Sequence, residues 1–107
     1  MSYDIWLEID VGADAPHELT DTHSPTYNLH DMFELALGGP MRELDGKTGA
    51  ECAPVLRAAV AQMRRTPARF KKLNPPNGWG SYEGAVATLG WLLSKCLAFP
   101  KATVRVR

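Results

Sequence analysis

Alternating apolar and polar positions mark two stretches, one near each end of the chain. Near the start the apolar positions are Tyr3, Ile5, Leu7 and Ile9, and near the end they are Ala102, Val104 and Val106. Successive side chains of a strand point to opposite faces, so each stretch predicts a strand with one buried face. A second, weaker strand over residues 17–23 is predicted to return along the first, after the turn-forming residues 11–16.

Apolar residues at helical spacing predict the elements between these strands. Asn28 is the predicted N-cap of a short helix that carries an apolar stripe over residues 32–37 and ends at Gly38-Gly39. Thr48 and Glu51 have the capping-box spacing for the next helix. Pro54 conflicts with that start because proline is disfavoured beyond the first turn, so either this turn is distorted or the helix begins nearer Glu51.

Two further helices are predicted before the last strand. Thr66 would cap a short basic helix over residues 68–73, with Pro67 at its first position, and Ser81 would cap the most apolar helix, residues 82–98. The order of elements indicates an α+β fold, in which a small antiparallel or mixed sheet of N- and C-terminal strands is covered by three to four helices. At 107 residues we expect one compact domain, residues 1–107.

The composition bears on the environment in which we expect the protein to work. The longest apolar stretch, residues 82–99, contains Glu83 and Lys95, which favours a buried helix over a membrane span, and no secretory signal is visible. Cys52 and Cys96 lie in predicted helices, so we expect buried free thiols in a reducing cytoplasm. The spacing of the cysteines and histidines matches no metal site, and no motif predicts a cofactor.

The net charge of zero conceals an uneven distribution. Residues 1–51 hold eleven acids against two bases, and residues 52–107 hold ten bases against one acid, giving charges of −9 and +9. Either the halves neutralise one another in the fold, or one surface binds a charged partner. If the terminal strands pair, Asp4, Glu8 and Asp10 can face Arg105 and Arg107.

The segment from residue 73 to residue 83 is the main candidate for a binding site. Its prolines stiffen it, its glycines permit close approach, and a helix N-terminus follows, where free amides favour an anion. Trp79 and Tyr82 can stack on a flat ligand, Asn74 and Asn77 can recognise polar edges, and Glu83 can bind a hydroxyl or an amine. The alternative is a rigid connector whose Trp seals the core. The predicted ligand-binding residues are Tyr27, Asn28, Arg69, Asn74, Asn77, Trp79, Ser81, Tyr82 and Glu83.

Two other groups of residues are candidates for a binding or catalytic site. The basic run before it, which includes Arg69, suits phosphates or an acidic protein face, but a solvated helix surface explains it equally well. No nucleic-acid-binding signature accompanies the run, which argues against direct nucleic-acid binding. His30 and Asp31 can move a proton and Tyr27 can stack or donate a hydrogen bond. The alternative is that Asn28 is simply a cap, Tyr27 is partly buried and His30 lies on the helix surface. No catalytic motif occurs, so the sequence favours binding over catalysis and predicts no catalytic residue.

Several blocks of the sequence resemble a family of small, uncharacterised proteins encoded by bacteriophages, especially those of actinobacteria. These blocks are YDIWLEID, TYN followed by MF, LDGKTGAEC, LNPPNGWGSYEGA and PKATVRV, and they span nearly the whole chain. The resemblance implies an accessory protein of the host cytoplasm, of the sort that blocks host enzymes or immune systems. It implies no activity and no site residue.

Two main hypotheses follow. The first is a non-enzymatic protein that binds and sequesters an anionic, nucleotide-like small molecule, with a counter-defence role. The second is an interaction module or inhibitor that binds a host protein through its acidic N-terminal surface. An exposed Trp6 on an edge strand would contribute to that surface and could also mark a homo-oligomer interface. A small hydrolase or transferase using Glu83 or His30 is a weaker alternative.

Overall fold

The computed structural model describes residues 1–107 and confirms the α+β class. Three strands form an antiparallel sheet and four α-helices cover it. The strands are β1 (Ile5–Ile9), β2 (His17–Glu18) and β3 (Thr103–Val106), and the helices are α1 (His30–Leu37), α2 (Gly49–Arg65), α3 (Pro67–Lys71) and α4 (Tyr82–Ala98). Two 3-10 turns, Tyr27–Leu29 and Met41–Leu44, precede α1 and α2. No helix has the length and apolar character needed to cross a membrane.

β1 is the central strand, between β2 and β3. Leu7 pairs with Val104 and Ile5 with Val106, and all four side chains are buried, as the alternation predicts. The second strand is much shorter than the predicted 17–23. Only His17–Glu18 are regular, and the chain then follows β1 through a bond from the Leu19 N–H to the Leu7 carbonyl and a bridge between Ile5 and His23.

Trp6 lies in this central strand, and so the expectation of an exposed Trp on an edge strand is wrong. Its ring is partly buried and its Nε1 donates to Glu8 Oε1 at 2.9 Å. Across the sheet, Arg105 lies 3.9 Å from Glu8, as the charge pattern suggested, but Arg107 pairs with Asp45 at 2.9 Å. Trp6 therefore lies on no open strand edge, where the second hypothesis had placed it.

The outer edge of β3 is covered by residues 45–48. The Gly46 N–H donates to the Val104 carbonyl and the Val104 N–H to the Lys47 carbonyl, each at 2.8 Å. The Val106 N–H donates to Asp45 Oδ1 at 2.9 Å. This segment takes the place of a fourth strand and leaves β3 without an open edge.

The start of α2 resolves the conflict between Thr48 and Pro54 in favour of Thr48. Both capping-box bonds form, and Pro54 lies inside the helix at an exposed position. The carbonyl that Pro54 cannot bond belongs to exposed Ala50, where solvent can reach it. A Cβ at Gly49 would lie 2.6 Å from the Phe99 carbonyl oxygen, so only glycine allows α2 to begin against the end of α4.

One other predicted cap is wrong, and a second has the predicted N-cap position without the capping bond. Thr26, not Asn28, caps the 3-10 turn Tyr27–Leu29, and α1 begins only at His30. Pro67 occupies the first turn of α3 as predicted, but the Thr66 hydroxyl donates back to the Gln62 carbonyl at 3.0 Å. The predicted Ser81 cap of α4 is confirmed, since its side chain accepts from the Gly84 N–H.

The core lies between the sheet and the antiparallel helices α2 and α4. Its 23 residues form one cluster that includes Phe33, Leu56, Leu89 and both cysteines. Cys52 and Cys96 are buried free thiols, as predicted. The hydrogen bond of Cys96 to Cys52, together with burial, raises the pKa of Cys96 and keeps it protonated.

Asp45 is the polar group on which the closure of β3 depends. Partial burial acts to raise its pKa, but the hydrogen bonds from the Val106 N–H and Arg107, with the charges of Arg105 and Arg107, outweigh it and lower the pKa below 3.8. Because the pKa is lower in the folded chain, the carboxylate's stabilisation is complete above the ordinary value. It is lost as the pH falls through the folded value.

We predict that Asp45→Ala lowers the free energy of unfolding by about 1–3 kcal/mol at pH 7, because the Val106 N–H loses its acceptor. Urea denaturation at pH 7 and near pH 3 measures this, and the difference from wild type should shrink at the lower pH. Asp21→Ala removes an exposed carboxylate and is the control, with an effect within about 0.5 kcal/mol. Equal effects of the two variants at pH 7 would contradict this role of Asp45.

Candidate functional site

An open cavity of about 330 Å³ lies between the first half of α4 and the segment that leads into α1. We call it the α4 groove. On the α4 side its lining is made of small residues, and on the other side it is made by residues 23–29. The lining residues are His23, Pro25, Thr26, Leu29, Gly80, Ser81, Gly84, Ala87 and Thr88.

The sequence makes this groove by placing small residues on one face of α4. Ser81, Gly84 and Thr88 recur at helical spacing, so their short side chains leave the floor open. A Cβ at Gly84 would meet only Ser81 Oγ, at 3.5 Å, and packing does not require glycine there. Gly80 is different, because its φ is +107° and a Cβ would lie 2.7 Å from Thr26 Cγ2. Glycine at position 80 therefore lets the segment between α3 and α4 pack against the opposite wall of the groove. We call this segment, residues 72–81, the connector.

One wall of the groove carries a polar pair that sequence reasoning did not identify. His23 Nε2 lies 2.9 Å from Thr88 Oγ1, and the His23 ring stacks on Trp91 with centroids 4.9 Å apart. Thr88 is the one buried polar residue of the protein. The spacing of Ser81, Gly84 and Thr88 is visible in the sequence, but the place of His23 depends on its pairing with Ile5, which no local pattern specifies.

Trp79 comes one residue before Gly80 of the groove lining and is not itself part of that lining, and 70% of its surface is exposed. The alternative in which it seals the core is thus wrong. Its backbone N–H donates to Asn77 Oδ1 at 2.9 Å, and the Tyr82 N–H donates to Asn74 Oδ1 at 2.8 Å. Both Asn carbonyl oxygens therefore hold the shape of the connector, which leaves their amide groups as the part available to a ligand.

The free amides at the start of α4 are only partly available to an anion, because the chain itself accepts two of them. The Tyr82 N–H donates to Asn74 Oδ1 and the Gly84 N–H donates to Ser81 Oγ. The Ser81 and Glu83 N–H groups remain, and the exposed carboxylate of Glu83 opposes an anion there.

Tyr82 belongs to the opposite flank of α4. With about 3.6 residues per turn, it lies roughly 160° around the axis from Gly84 and roughly 120° from Thr88. Its hydroxyl donates to the Met63 carbonyl at 2.7 Å, and Lys71 Nζ lies 5.3 Å from its ring centroid. Arg69 stands beside Phe70 on that flank and is exposed. Tyr82 and Arg69 therefore do not line the groove, and Tyr82 joins α4 to α2 and α3.

Tyr27 and Asn28 are also outside the groove. Tyr27 stacks on His30, with centroids 5.0 Å apart, and on Tyr3 at 5.1 Å, beside a separate cavity of about 60 Å³ that has room for little more than water. Burial, and after it the proximity of Tyr27, raises the pKa of Tyr3. Asn28 Nδ2 donates to Thr26 Oγ1 at 3.1 Å. Of the nine predicted site residues, only Ser81 lines the α4 groove, and Trp79 adjoins it.

A strongly basic surface lies beyond Tyr82, at the end of α2 and along α3. All of its cations are exposed and none forms an ion pair; they are Arg64, Arg65, Arg69, Lys71 and Lys72. We call this surface the basic end. The fold neutralises only Arg105 and Arg107 among the ten bases of residues 52–107, so internal pairing explains little of the charge asymmetry.

Comparison with known proteins adds no further information on the site. No family model, curated protein or solved structure matches the chain. The resemblance to bacteriophage proteins stays a prediction, and the function has to be argued from the geometry.

We predict that substitutions of Trp79 and Tyr82 have clearly different effects on the free energy of unfolding. Tyr82→Phe should lower the free energy of unfolding by about 0.5–1.5 kcal/mol, because the Met63 carbonyl loses its donor. Trp79→Ala should change it by less than about 0.5 kcal/mol, because the ring is exposed. Thermal or urea denaturation of both variants measures this. A large loss for Trp79→Ala would show that its ring is buried.

Proposed function

We propose that this chain is a non-enzymatic binding protein that holds a flat, nucleotide-like small molecule in the α4 groove, beside Trp79. The observation that carries the proposal is the combination of an open groove of about 330 Å³ with a large exposed aromatic side chain, Trp79, one residue before Gly80 of the lining. An exposed Trp on a stiffened connector is costly to keep in water and well suited to cover a planar ring.

The size and chemistry of the groove support a ring with hydrogen-bonding edges. Its volume is at the lower end of the about 300–1,000 Å³ of small-molecule sites. Thr88 supplies one hydroxyl donor and two acceptor lone pairs, of which the contact with His23 uses one, so the pair can still recognise a polar edge. A nucleobase or a similar heterocycle fits this description.

The charge of the ligand is a separate matter. No lysine, arginine, aspartate or glutamate lines the groove, and the basic end lies on the other flank of α4. A phosphate on the ligand would therefore extend from the groove into solvent, and affinity would depend on the ring. The lining also lacks a carboxylate to orient His23 as a base toward Thr88, which favours capture over catalysis.

The biological role we propose follows from the resemblance to bacteriophage accessory proteins. A small protein that captures a nucleotide-like signal lowers its free concentration and so blunts the response that the signal controls. Sequestration of this kind needs binding and expression at a level comparable to the signal, and it needs no turnover.

We predict that Gly84→Leu abolishes ligand binding while Gly90→Leu does not. Both glycines lie in α4 and both leave room for a side chain, but only Gly84 lines the groove. Each substitution should keep or raise stability, because leucine favours a helix by up to about 1 kcal/mol over glycine. Calorimetry and thermal-shift measurements would use a panel of nucleosides, nucleotides, cyclic dinucleotides and ADP-ribose.

Trp79→Ala should weaken binding of the same panel member by at least about tenfold, given the usual contribution of stacking. Because the variant should remain folded, a loss of heat reports the ligand and not the fold. If no panel member binds wild type, or if Gly84→Leu binds as well as Gly90→Leu, the groove is not the site.

A further inference from the structure

Two surfaces with charges of opposite sign lie at opposite ends of the α2 and α4 helix pair. One is the basic end, Arg64–Lys72. The other is formed by residues 10–18, the turn between β1 and β2 together with β2, and we call it the acidic tip. Its charged residues are Asp10, Asp14 and Glu18, all exposed and none in an ion pair.

The connectivity places these surfaces far apart. Gly49 at the start of α2 lies against Phe99, and the Tyr82 hydroxyl reaches Met63, so α2 and α4 run antiparallel. Thr103 pairs with both Thr48 and Glu8, which puts the acidic tip beyond the Gly49 end of this helix pair. The basic end lies at the opposite end, and the molecule measures 45 Å along its longest axis and 19 Å along its shortest.

Each charged end also presents one large apolar side chain to solvent. Val11 is 60% exposed at the acidic tip, and Trp79 is 70% exposed in the connector that follows the basic end. Apolar contact at the centre with charges around it is the usual anatomy of a protein interface. The two ends thus match each other in charge and in the apolar group that each one exposes.

We propose that the basic end binds the acidic tip of a second copy of this chain, so that the protein associates head to tail. A second copy is the complementary occupant, since the acidic tip presents three unpaired carboxylates and the basic end presents five unpaired cations. A polyanion would meet the basic end but would be repelled by the acidic tip of the same molecule. A second copy satisfies both ends at once.

The geometry also sets the strength of this association. An end face bounded by the 27 and 19 Å extents covers at most about 500 Å², below the ~800 Å² per partner of a standard stable interface. The contact is therefore weak, is dominated by charge, and falls with added salt. Because a head-to-tail contact leaves one end of each kind free, it produces short chains in addition to dimers.

Sedimentation velocity over a concentration series tests the proposal with the full chain. We expect the mean mass to rise with concentration at about 20 mM salt and to return to that of the monomer at about 500 mM, where the screening length is only a few ångströms. A monomer at every concentration in low salt would overturn the proposal.

Charge reversal identifies the contact. Arg64→Glu with Arg69→Glu lowers the charge of the basic end from +5 to +1, and Asp14→Lys with Glu18→Lys changes that of the acidic tip from −3 to +1. Each should associate at least about tenfold more weakly than wild type, because the attraction between the two ends is lost. An equimolar mixture of the two should associate again as dimers, since the unchanged acidic tip of the first variant then meets the unchanged basic end of the second.

Arg42→Glu with Arg57→Glu is the matched control, with the same change in net charge at exposed positions outside both ends. It should associate as wild type does. Failure of the mixture to recover, or equal loss in the control, would show that the contact is not end to end. If Gly84→Leu associates as wild type does, the association is independent of the α4 groove.

Discussion

The pairing of the first and last strands is the constraint on which the rest of the structure depends. It joins Ile5 to Val106 and Leu7 to Val104, so the two ends of the chain close over one core. With β3 in place, residues 45–48 have an edge to bond, and Asp45 becomes the acceptor for Val106 and the partner of Arg107. With β1 in place, His23 is held beside Ile5 and above Thr88. The groove is thus a product of a strand register and not of the helix alone.

Much of the fold could be predicted because it follows from local pattern. The alternation around Leu7 and Val104 indicates strands with one buried face, and Ser81 bonds an amide three residues away, as caps do. Asn28 shows where local reasoning fails. Thr26 precedes it and accepts the same kind of bond, and the sequence does not say which residue the chain will use.

The binding site was harder to predict than the fold because the same residue types serve both stability and recognition. Asn74, Asn77 and Tyr82 look like groups poised for a ligand, yet the two Asn side chains bond within the loop before α4 and the Tyr82 hydroxyl bonds the Met63 carbonyl of α2. The aromatic, Asn-rich composition indicates a rigid segment but leaves open whether Trp79 is exposed or seals the core. It could not indicate which flank of α4 holds the open space, since that depends on how His23 and Pro25 cross the helix.

The indole ring of Trp79 would take part in both proposed contacts, one with the ligand and one with a second copy of the chain. Its neighbour Gly80 packs closely against Thr26, which fixes the backbone next to Trp79, while Asn74 bonds the same connector to the end of α3 and the start of α4. A guest that covers the ring removes it from the contact between copies, and a neighbouring copy that covers it removes it from the guest. Thermodynamic reciprocity then requires each event to weaken the other by the same factor. Ligand binding and self-association would therefore oppose each other, and the monomer that prevails in dilute solution would be the form that binds the ligand.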